Sequence, residues 1–492
     1  MPESISLLGA ISSLLLPWAL GAVWVFWLLR LSGRWNAFLI AGYGYLVGIF
    51  LTTLLMRSWH ILGLPLHYWS MAAVMLVMIL LGILALRMQA VPHRNTTRSP
   101  PLEKWQLALT AFFLLLIVSR YTTVAQEMYL RPLFPWDAWM NWAPKAIVWF
   151  HHNDIVPWVS GSDWLDAPAR AMNYTAGASR AWLYPELIPL IQLWGMLGAG
   201  VSDHGVIYLP WLGAAAALGL VLYGQLRQSG ATFLVATMAT YVLLNLPFVN
   251  VYVALPGYAD LWVASIFGCA ALALHEWGMN RRWPYALLAL LLAIMCSQAK
   301  IPGLILGGIV LVVYLTSIFR PGKKLALSLL ATLIISSAYI AIFGLDFSIP
   351  GIGRLVISTE GIVLPYVGYY ELSYHPVHDA IINTLFLMLN WNMLWYLLVL
   401  MAIIGLFERQ LFNPHSLELR VLVLTLIFIF FVYYFTNRYK FALDYTQVNR
   451  ALIYTVPIVV FYLFQSFGQW RLSKGRKQPE FPGDIAKSNL MK

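Results

Sequence analysis

Thirteen apolar runs, each long enough or nearly long enough to cross a lipid bilayer, constrain this chain more than any other feature. A helix needs about 20 consecutive apolar residues to span the hydrocarbon core. The runs lie at 5–29, 37–56, 69–87, 105–122, 206–226, 231–250, 260–276, 284–298, 302–319, 325–343, 391–407, 420–436 and 451–468. The sequence therefore predicts an all-α polytopic membrane protein with about 13 transmembrane helices.

The composition agrees with a membrane protein and excludes several other classes. Of the 492 residues, 61% are apolar and 10% are charged, whereas soluble proteins are about 45–50% apolar and about 25% charged. An ordinary soluble enzyme, a disordered tail protein and a nucleic-acid binder of the usual kind are excluded, so no nucleic acid is expected as a partner. The first run is too long for a cleavable signal peptide and no basic segment precedes it. Cys269 and Cys296 lie within apolar runs, so no disulfide framework is expected.

The distribution of charged residues sets the expected orientation, because Lys and Arg concentrate in cytoplasmic loops. With the N-terminus outside, 20 of the 31 basic residues lie inside and 14 of the 20 acidic residues lie outside. The inner surface then carries +14 and the outer surface −3, which accounts for the net charge of +11. We predict a multi-pass protein of the plasma (inner) membrane with an external N-terminus and a cytoplasmic C-terminus.

The spans and loops divide the chain into four predicted parts. Residues 1–104 form three N-terminal transmembrane helices and a cytoplasmic loop. Residues 105–343 form a second module with a large external loop at 123–205. Residues 344–468 begin with another external loop and continue into the C-terminal transmembrane helices, and residues 469–492 form a basic cytoplasmic tail.

The large external loop begins with a segment whose side chains divide between two faces when it is read as a helix over 136–150. One face carries Trp139, Trp142, Ala146, Trp149 and Phe150, and the other carries Asp137, Asn141 and Lys145. This pattern predicts an amphipathic helix in the membrane interface with tryptophans at the headgroup level. Pro144 predicts that the helix kinks or restarts. The polar face is either merely solvated or part of a functional site.

Other charged residues lie at the external ends of predicted spans. The apolar segment 182–198 is predicted to be an interfacial or re-entrant helix, in which Glu186 complements the helix dipole. Asp260 is either a helix-start residue or a functional acid at the membrane boundary. Lys300 and Arg450 stand on the side where basic residues are depleted, so each either snorkels to headgroups or binds an anion.

Two groups of residues are candidate metal ligands. Side chains of the metal-binding kind cluster in the loop 344–380: Glu371, His375, His378 and Asp379. Their spacing is loose and no His-Glu-x-x-His pattern is present, and the adjacent His151 and His152 do not face one site. No cofactor is assigned, and a divalent cation at the four loop residues stays open as an alternative.

The order of these features resembles the GT-C superfamily of glycosyltransferases, which take a sugar from a polyprenyl phosphate. In layout it is similar to the protein O-mannosyltransferase and lipid A aminoarabinose transferase branch, over about residues 105–468. The matching motifs are FPWDAW with Asp137, LYPELIPL with Tyr184 and Glu186, GYADLW with Asp260, and QVNRALIYTVP with Arg450. The chain departs from the pattern where Ala138 replaces a second acid, and where Tyr184 and Glu186 replace a His and a Pro.

The resemblance implies an inverting transfer of a sugar from a polyprenyl-phosphate donor to a hydroxyl of an extracytoplasmic protein, lipid or glycan. Asp137 would be the general base, with Asp260 as the second catalytic acid. The donor phosphate would be bound by Lys145, Lys300 and Arg450. Substrate contacts would come from Trp136, Trp139, Asn141, Tyr184 and Glu186, with membrane lipids as the remaining partners.

Three other functions compete with this interpretation. A ligase that transfers a whole glycan from a lipid diphosphate, like the O-antigen ligases, also uses an external cavity with basic residues, and the sequence separates it poorly from the first. A transporter or flippase needs ionisable residues distributed through the spans, whereas here they concentrate at the span ends and in external loops. A non-catalytic scaffold has no need to concentrate acids and bases in one vestibule.

Overall fold

The computed structural model describes residues 5–89, 103–319, 331–349, 353–365, 368–407 and 416–475, apart from 169, 177, 179, 180, 333, 334 and 341. The predicted tail from residue 476 onward and the predicted span at 325–343 before residue 331 lie outside the described residues. The helices in the first half of the chain are α1 (Leu7–Arg30), α2 (Ala37–Ile61), α3 (Tyr68–Met88), α4 (Lys104–Leu130), α5 (Ala143–His152), α6 (Gly161–Leu165), α7 (Leu187–Ala199), α8 (Pro210–Gln228), α9 (Phe233–Leu244) and α10 (Pro247–Ala254). Those in the second half are α11 (Asp260–Asn280), α12 (Trp283–Ser297), α13 (Ile301–Ile318), α14 (His378–Ile382), α15 (Leu394–Phe407), α16 (Leu417–Phe435), α17 (Lys440–Leu443), α18 (Val448–Leu452) and α19 (Val456–Gly475).

The protein is an α-helical, multi-pass membrane protein, as predicted. Within the described ranges, eight helices are long and apolar enough to cross a bilayer: α1, α2, α3, α4, α8 with the turn before it, α11, α13 and α16. Helices α9 and α10 form one further candidate span, which is bent by 63°. Four shorter apolar helices, α7, α12, α15 and the first part of α19, complete the apolar set in this part of the chain.

Prolines and capping residues set the ends of helices α9, α10 and α13. The side chain of Thr232 caps α9 by accepting a hydrogen bond from the Val235 amide, at 3.3 Å. The bend between α9 and α10 falls before Pro247, whose missing N–H cannot continue the first helix. Pro302 lies in the first turn of α13, and Lys300 before it is fully extended. The chain therefore turns sharply between α12 and α13 and leaves Lys300 at the end of the helix bundle.

Helix α11 is the central helix of the bundle, since 94% of the residues in its apolar 18-residue stretch are buried inside the protein. It packs against α8, α12, α13, α16 and α19. At its C-terminal end, the His275 ring lies 2.7 Å from the Glu418 carboxylate, and the Glu276 carboxylate lies 2.8 Å from the Arg34 guanidinium. At its N-terminal end it begins with Asp260, as the sequence predicts. This helix therefore carries Asp260 into the protein interior.

A small antiparallel sheet occupies the loop at 344–380, which the sequence analysis treated as loop. Its strands are β1 (Leu345–Ile349), β2 (Gly353–Ile357), β3 (Gly361–Leu364) and β4 (Gly368–Glu371), paired in chain order. After β4 the chain joins the end of α16, where the His375 amide donates to the Tyr434 carbonyl at 2.7 Å. The sheet is thus fixed beside the segment that leads to Arg450.

Helices α1 and α2 approach each other closely through glycines. A Cβ at Gly48 would overlap the carbonyl oxygen of Pro17, and a Cβ at Gly21 would overlap the carbonyl oxygen of Gly44. Small residues spaced four apart, such as Gly44 and Gly48, let membrane helices pack backbone to backbone. The contact fixes α2, whose far end carries Arg57, against the rest of the bundle.

We expect Gly48→Ala to lower the melting temperature of the purified protein in lipid nanodiscs by several degrees. The added methyl group forces α1 away from α2, and overpacking of this kind costs about 1–3 kcal/mol. Gly308→Ala is the matched control, because a Cβ at Gly308 meets nothing within 4 Å. Equal melting temperatures for the two variants would contradict the close α1–α2 contact.

Candidate active site

The segment that carries Asp137 combines two kinds of helix. Asp137 precedes a π-helical turn at Ala138–Trp142, and α5 then begins at Ala143 with Pro144 in its first turn. The predicted restart at Pro144 is confirmed. π-Turns are rare and often occur at functional sites.

The apolar face of this segment packs into the protein, whereas the sequence analysis placed it against lipid headgroups. Trp142, Ala146 and Trp149 are almost fully buried, and Trp139 is exposed. Helix α7 covers this face and is itself buried along nearly all of its length. An amphipathic pattern shows that one face avoids water, but it does not distinguish a lipid surface from a neighbouring helix.

The Asp260 carboxylate is the centre of a buried charge cluster. It is 0% exposed, and its Oδ1 accepts hydrogen bonds from Lys300 Nζ at 2.8 Å and from the Tyr454 hydroxyl at 2.5 Å. Its Oδ2 accepts from Arg450 Nη2 at 2.7 Å and Nε at 3.2 Å. Two cations and one hydroxyl therefore compensate the removal of this carboxylate from water.

Arg450 joins the two acids that the sequence analysis selected. Its Nη2 also donates to Asp137 Oδ2, and its guanidinium lies 5.1 Å from the centre of the Tyr258 ring. The side chains of Arg450 and Asp137 are 18% and 20% exposed. No described residue bonds to Arg450 Nη1 or to Asp137 Oδ1. These two atoms therefore keep hydrogen-bonding capacity at the partly exposed edge of the buried cluster.

The charges of the four residues of this cluster, Asp137, Asp260, Lys300 and Arg450, sum to zero. The surroundings shift the pKa of each of the two cations. Burial and the neighbouring Arg450 lower the pKa of Lys300, although the Asp260 carboxylate opposes them. Burial alone would lower the pKa of Arg450, but the carboxylates of Asp260 and Asp137 raise it above its ordinary value.

Lys145 lies apart from this cluster, although the sequence analysis grouped it with Lys300 and Arg450. Its side chain is 2% exposed, and Nζ donates to the carbonyl oxygens of Trp182 and Tyr184 at 3.2 and 3.1 Å. Burial lowers the pKa of Lys145 to about 8, an effect that Glu186 partly opposes. In this position Lys145 holds the backbone of Tyr184, whose ring packs 4.8 Å from the Trp142 ring.

The other predicted substrate residues lie at the loop surface or beside the cluster. Trp136 and Trp139 are exposed, and Asn141 is half-buried within the π-turn. Glu186 pairs with Arg57 at 3.5 Å.

The residues weighed as metal ligands have other contacts. The His375 ring stacks on Tyr439, and Glu371 ends strand β4. The His378 ring lies 3.7 Å from the Asp379 carboxylate. In the described part of the chain, no three His, Cys, Asp or Glu side chains are close enough together to hold a metal ion.

Three site residues were missed by the sequence analysis: Tyr258, Tyr454 and Arg57. Tyr454 follows Arg450 by four residues, and both bond to the same carboxylate. Arg57 lies at the end of α2 that faces Glu186, and it is another basic residue on the side where basic residues are depleted. That depletion was the signal that could have identified it.

No protein-family model, curated protein or solved structure matches this chain.

The pKa of Lys145 gives a prediction for stability against pH. Its folded value of about 8 lies below its ordinary value of 10.5, so the unfolded chain holds more protons between these values and stability rises with pH there. We expect the melting temperature of Lys145→Met relative to wild type to be highest near pH 7, to fall as the pH rises above 8, and to lose this advantage only above about pH 10.5. The energy at stake is about 3 kcal/mol at most.

The matched control is Lys104→Met at an exposed position. Its difference in melting temperature from wild type is expected to stay constant with pH. The same constant difference for Lys145→Met would show that Lys145 is not held in the buried environment described.

Proposed function

We propose that the protein is a GT-C-type glycosyltransferase that transfers a sugar from a polyprenyl phosphate to a hydroxyl of an extracytoplasmic protein, lipid or glycan. One observation carries the proposal: Arg450 joins the loop acid Asp137 to the buried acid Asp260, and Lys300 completes the cluster. A base and an anion-binding group are thereby held side by side at the end of a helix bundle.

The reaction follows from these groups. The acceptor oxygen attacks the anomeric carbon and forms the new glycosidic bond, while the bond from that carbon to the phosphate oxygen breaks. The bonding electron pair leaves with the lipid phosphate, and the acceptor proton passes to the free Oδ1 of Asp137, which acts as general base. A single displacement of this kind inverts the anomeric configuration. The proton then leaves Asp137 for solvent or for the released phosphate.

Arg450 and Lys300 serve the leaving group in this proposal. Negative charge grows on the phosphate as the bond breaks, and fixed cations nearby lower the barrier. Arg450 Nη1, which has no partner among the described residues, suits a phosphate oxygen, because a guanidinium offers several donors in a fixed plane. Lys300 contributes through Asp260, whose negative charge it balances at 2.8 Å. Asp260 thus orients Arg450.

We also propose about thirteen spans in a GT-C-like arrangement, with the site on the extracytoplasmic face of the plasma (inner) membrane. The nine candidate spans, the shorter helices α12, α15 and α19, and the segment at 325–343 would supply the crossings. In this orientation the N-terminus is outside, and the basic tail lies in the cytoplasm.

The neutral charge balance of the cluster favours a monophosphate donor over the lipid diphosphate of a glycan ligase. Both cations already face carboxylates, so a diphosphate would bring more negative charge than the cluster can compensate. A transporter is less well supported. Asp260, Lys300 and Arg450 bond to one another at one end of the helix bundle, whereas a transport path needs ionisable residues distributed through the spans.

We expect Asp137→Asn to reduce sugar transfer by at least 10²-fold, because the amide cannot accept the acceptor's proton. Its melting temperature and its retention of co-purified polyprenyl phosphate, measured by native mass spectrometry, should stay close to wild type. Asp163→Asn, in an exposed part of the same loop, is the control and should keep full activity. Near-wild-type turnover by Asp137→Asn would remove Asp137 from the role of base.

Arg450→Lys is expected to weaken binding of undecaprenyl phosphate by about tenfold, since a lysine cannot contact both aspartates and a phosphate oxygen at once. The lysine keeps a cation beside the buried Asp260, so the fold should survive. Arg354→Lys, on the exposed sheet, is the control. Titration by native mass spectrometry measures the affinity, and an unchanged value would overturn the phosphate-binding role of Arg450.

A further inference from the structure

A cavity of about 350 Å³, widely open to the outside, lies between α2, the loop before α7 and the turn before α13. Its polar and aromatic lining residues are Arg57, Trp158, Trp182, Tyr184, Glu186 and Gln298. Its volume falls in the range of about 300–1,000 Å³ that is typical of sites for small molecules.

The polar wall of the cavity is ordered by contacts between distant parts of the chain. Arg57 Nη1 donates to Gln298 Oε1 at 3.1 Å, and Arg57 Nη2 lies 3.5 Å from Glu186 Oε2. The side chains of Arg57 and Glu186 are 30% and 40% exposed. They are therefore fixed in place and still able to exchange hydrogen bonds with a ligand.

The charge and shape of the lining indicate the class of ligand. Arg57 and Glu186 neutralise each other, so the cavity offers donors and acceptors without a net charge for an anion. Trp158, Trp182 and Tyr184 are the aromatic residues of the lining. A sugar ring has both features, because its C–H groups pack on aromatic faces while its hydroxyls bond to polar side chains at the edge.

Tyr184 forms a wall shared with the charge cluster. Its ring packs on Trp142 of the π-turn that follows Asp137. Burial and the Asp137 carboxylate raise the pKa of Tyr184, as expected for a hydroxyl near that acid. On the opposite wall, Gln298 precedes Lys300 by two residues. The cavity therefore adjoins the proposed reaction centre.

We propose that this cavity binds a neutral sugar ring that takes part in the transfer. The inference rests on the proposed function and names the substrate class of the adjoining subsite. The ring belongs to a glycan acceptor or to the donor, and the two sources share the same chemistry.

The binding test uses the full chain in phosphatidylcholine nanodiscs and saturation-transfer NMR with the methyl glycosides of glucose, galactose, mannose and N-acetylglucosamine. We expect at least one glycoside to bind. Trp182→Ala and Gln298→Leu should each weaken this binding by at least tenfold. Trp164→Ala, at an exposed tryptophan outside the cavity, should leave it unchanged.

Three results would overturn the proposal: binding of none of the four glycosides, equal binding by the cavity variants and the control, or displacement of the glycoside by inorganic phosphate. Melting temperatures show whether each variant folds. Should Trp182→Ala fail to fold, Gln298→Leu provides the same comparison, because its volume is similar to that of the wild type.

A second measurement separates the two sources and the two proposals. Where Gln298→Leu raises the acceptor KM and leaves the affinity for polyprenyl-phosphate sugar unchanged, the ring is that of the acceptor. Where it removes the extra affinity of the sugar-bearing lipid over plain undecaprenyl phosphate, the ring is that of the donor. Glycoside binding without any lipid binding would contradict the proposed transferase function but not the presence of a sugar-binding site in the cavity. Sugar transfer that depends on Asp137 but is unchanged in the cavity variants would contradict the sugar-binding cavity alone.

Discussion

The buried carboxylate of Asp260 is the constraint on which the rest of the site depends. A carboxylate removed from water without partners costs several kcal/mol, so the fold must bring compensating groups to it. They come from two remote segments: Lys300 from the turn before α13, and Arg450 and Tyr454 from α18 and the turn that follows it. Satisfying one charge therefore fixes the relative positions of α11, α13 and α18. The same contacts leave one edge of Arg450 facing outward.

The other end of α11 is held in a comparable way, and this makes the central helix a rigid support. His275 contacts Glu418, and Glu276 contacts Arg34, with these acids and the histidine almost fully buried. A helix held by charged groups at both ends cannot slide or rotate without exposing an unpaired charge. Asp260 is consequently preorganised. Asp137, which comes from the large external loop, is more exposed than Asp260.

Three members of the charge cluster stand out in the sequence because each breaks a rule of membrane proteins. Asp260, Lys300 and Arg450 are charges at positions where apolar residues or uncharged loops are expected, and such exceptions are visible without a structure. Lys145 was misplaced for the opposite reason, since an ideal helical period does not include the π-turn at 138–142 and says nothing of what covers a face. The sheet at 345–371 was missed because strands of four or five residues leave too short an alternation to recognise.

The N-terminal helices α1–α3 contact the rest of the chain more closely than an added segment would. The resemblance to GT-C enzymes begins near residue 105, which would make α1–α3 an addition to a complete module. Yet Arg57 of α2 ion-pairs with Glu186 and bonds to Gln298, both of which belong to that module. The glycine contact between α1 and α2 holds this arginine in position. A module that began at residue 105 would therefore lose one wall of the cavity beside Asp137, and Glu186 would face that opening without its cation. The N-terminal helices accordingly help to form this cavity, because Arg57 is one of its lining residues.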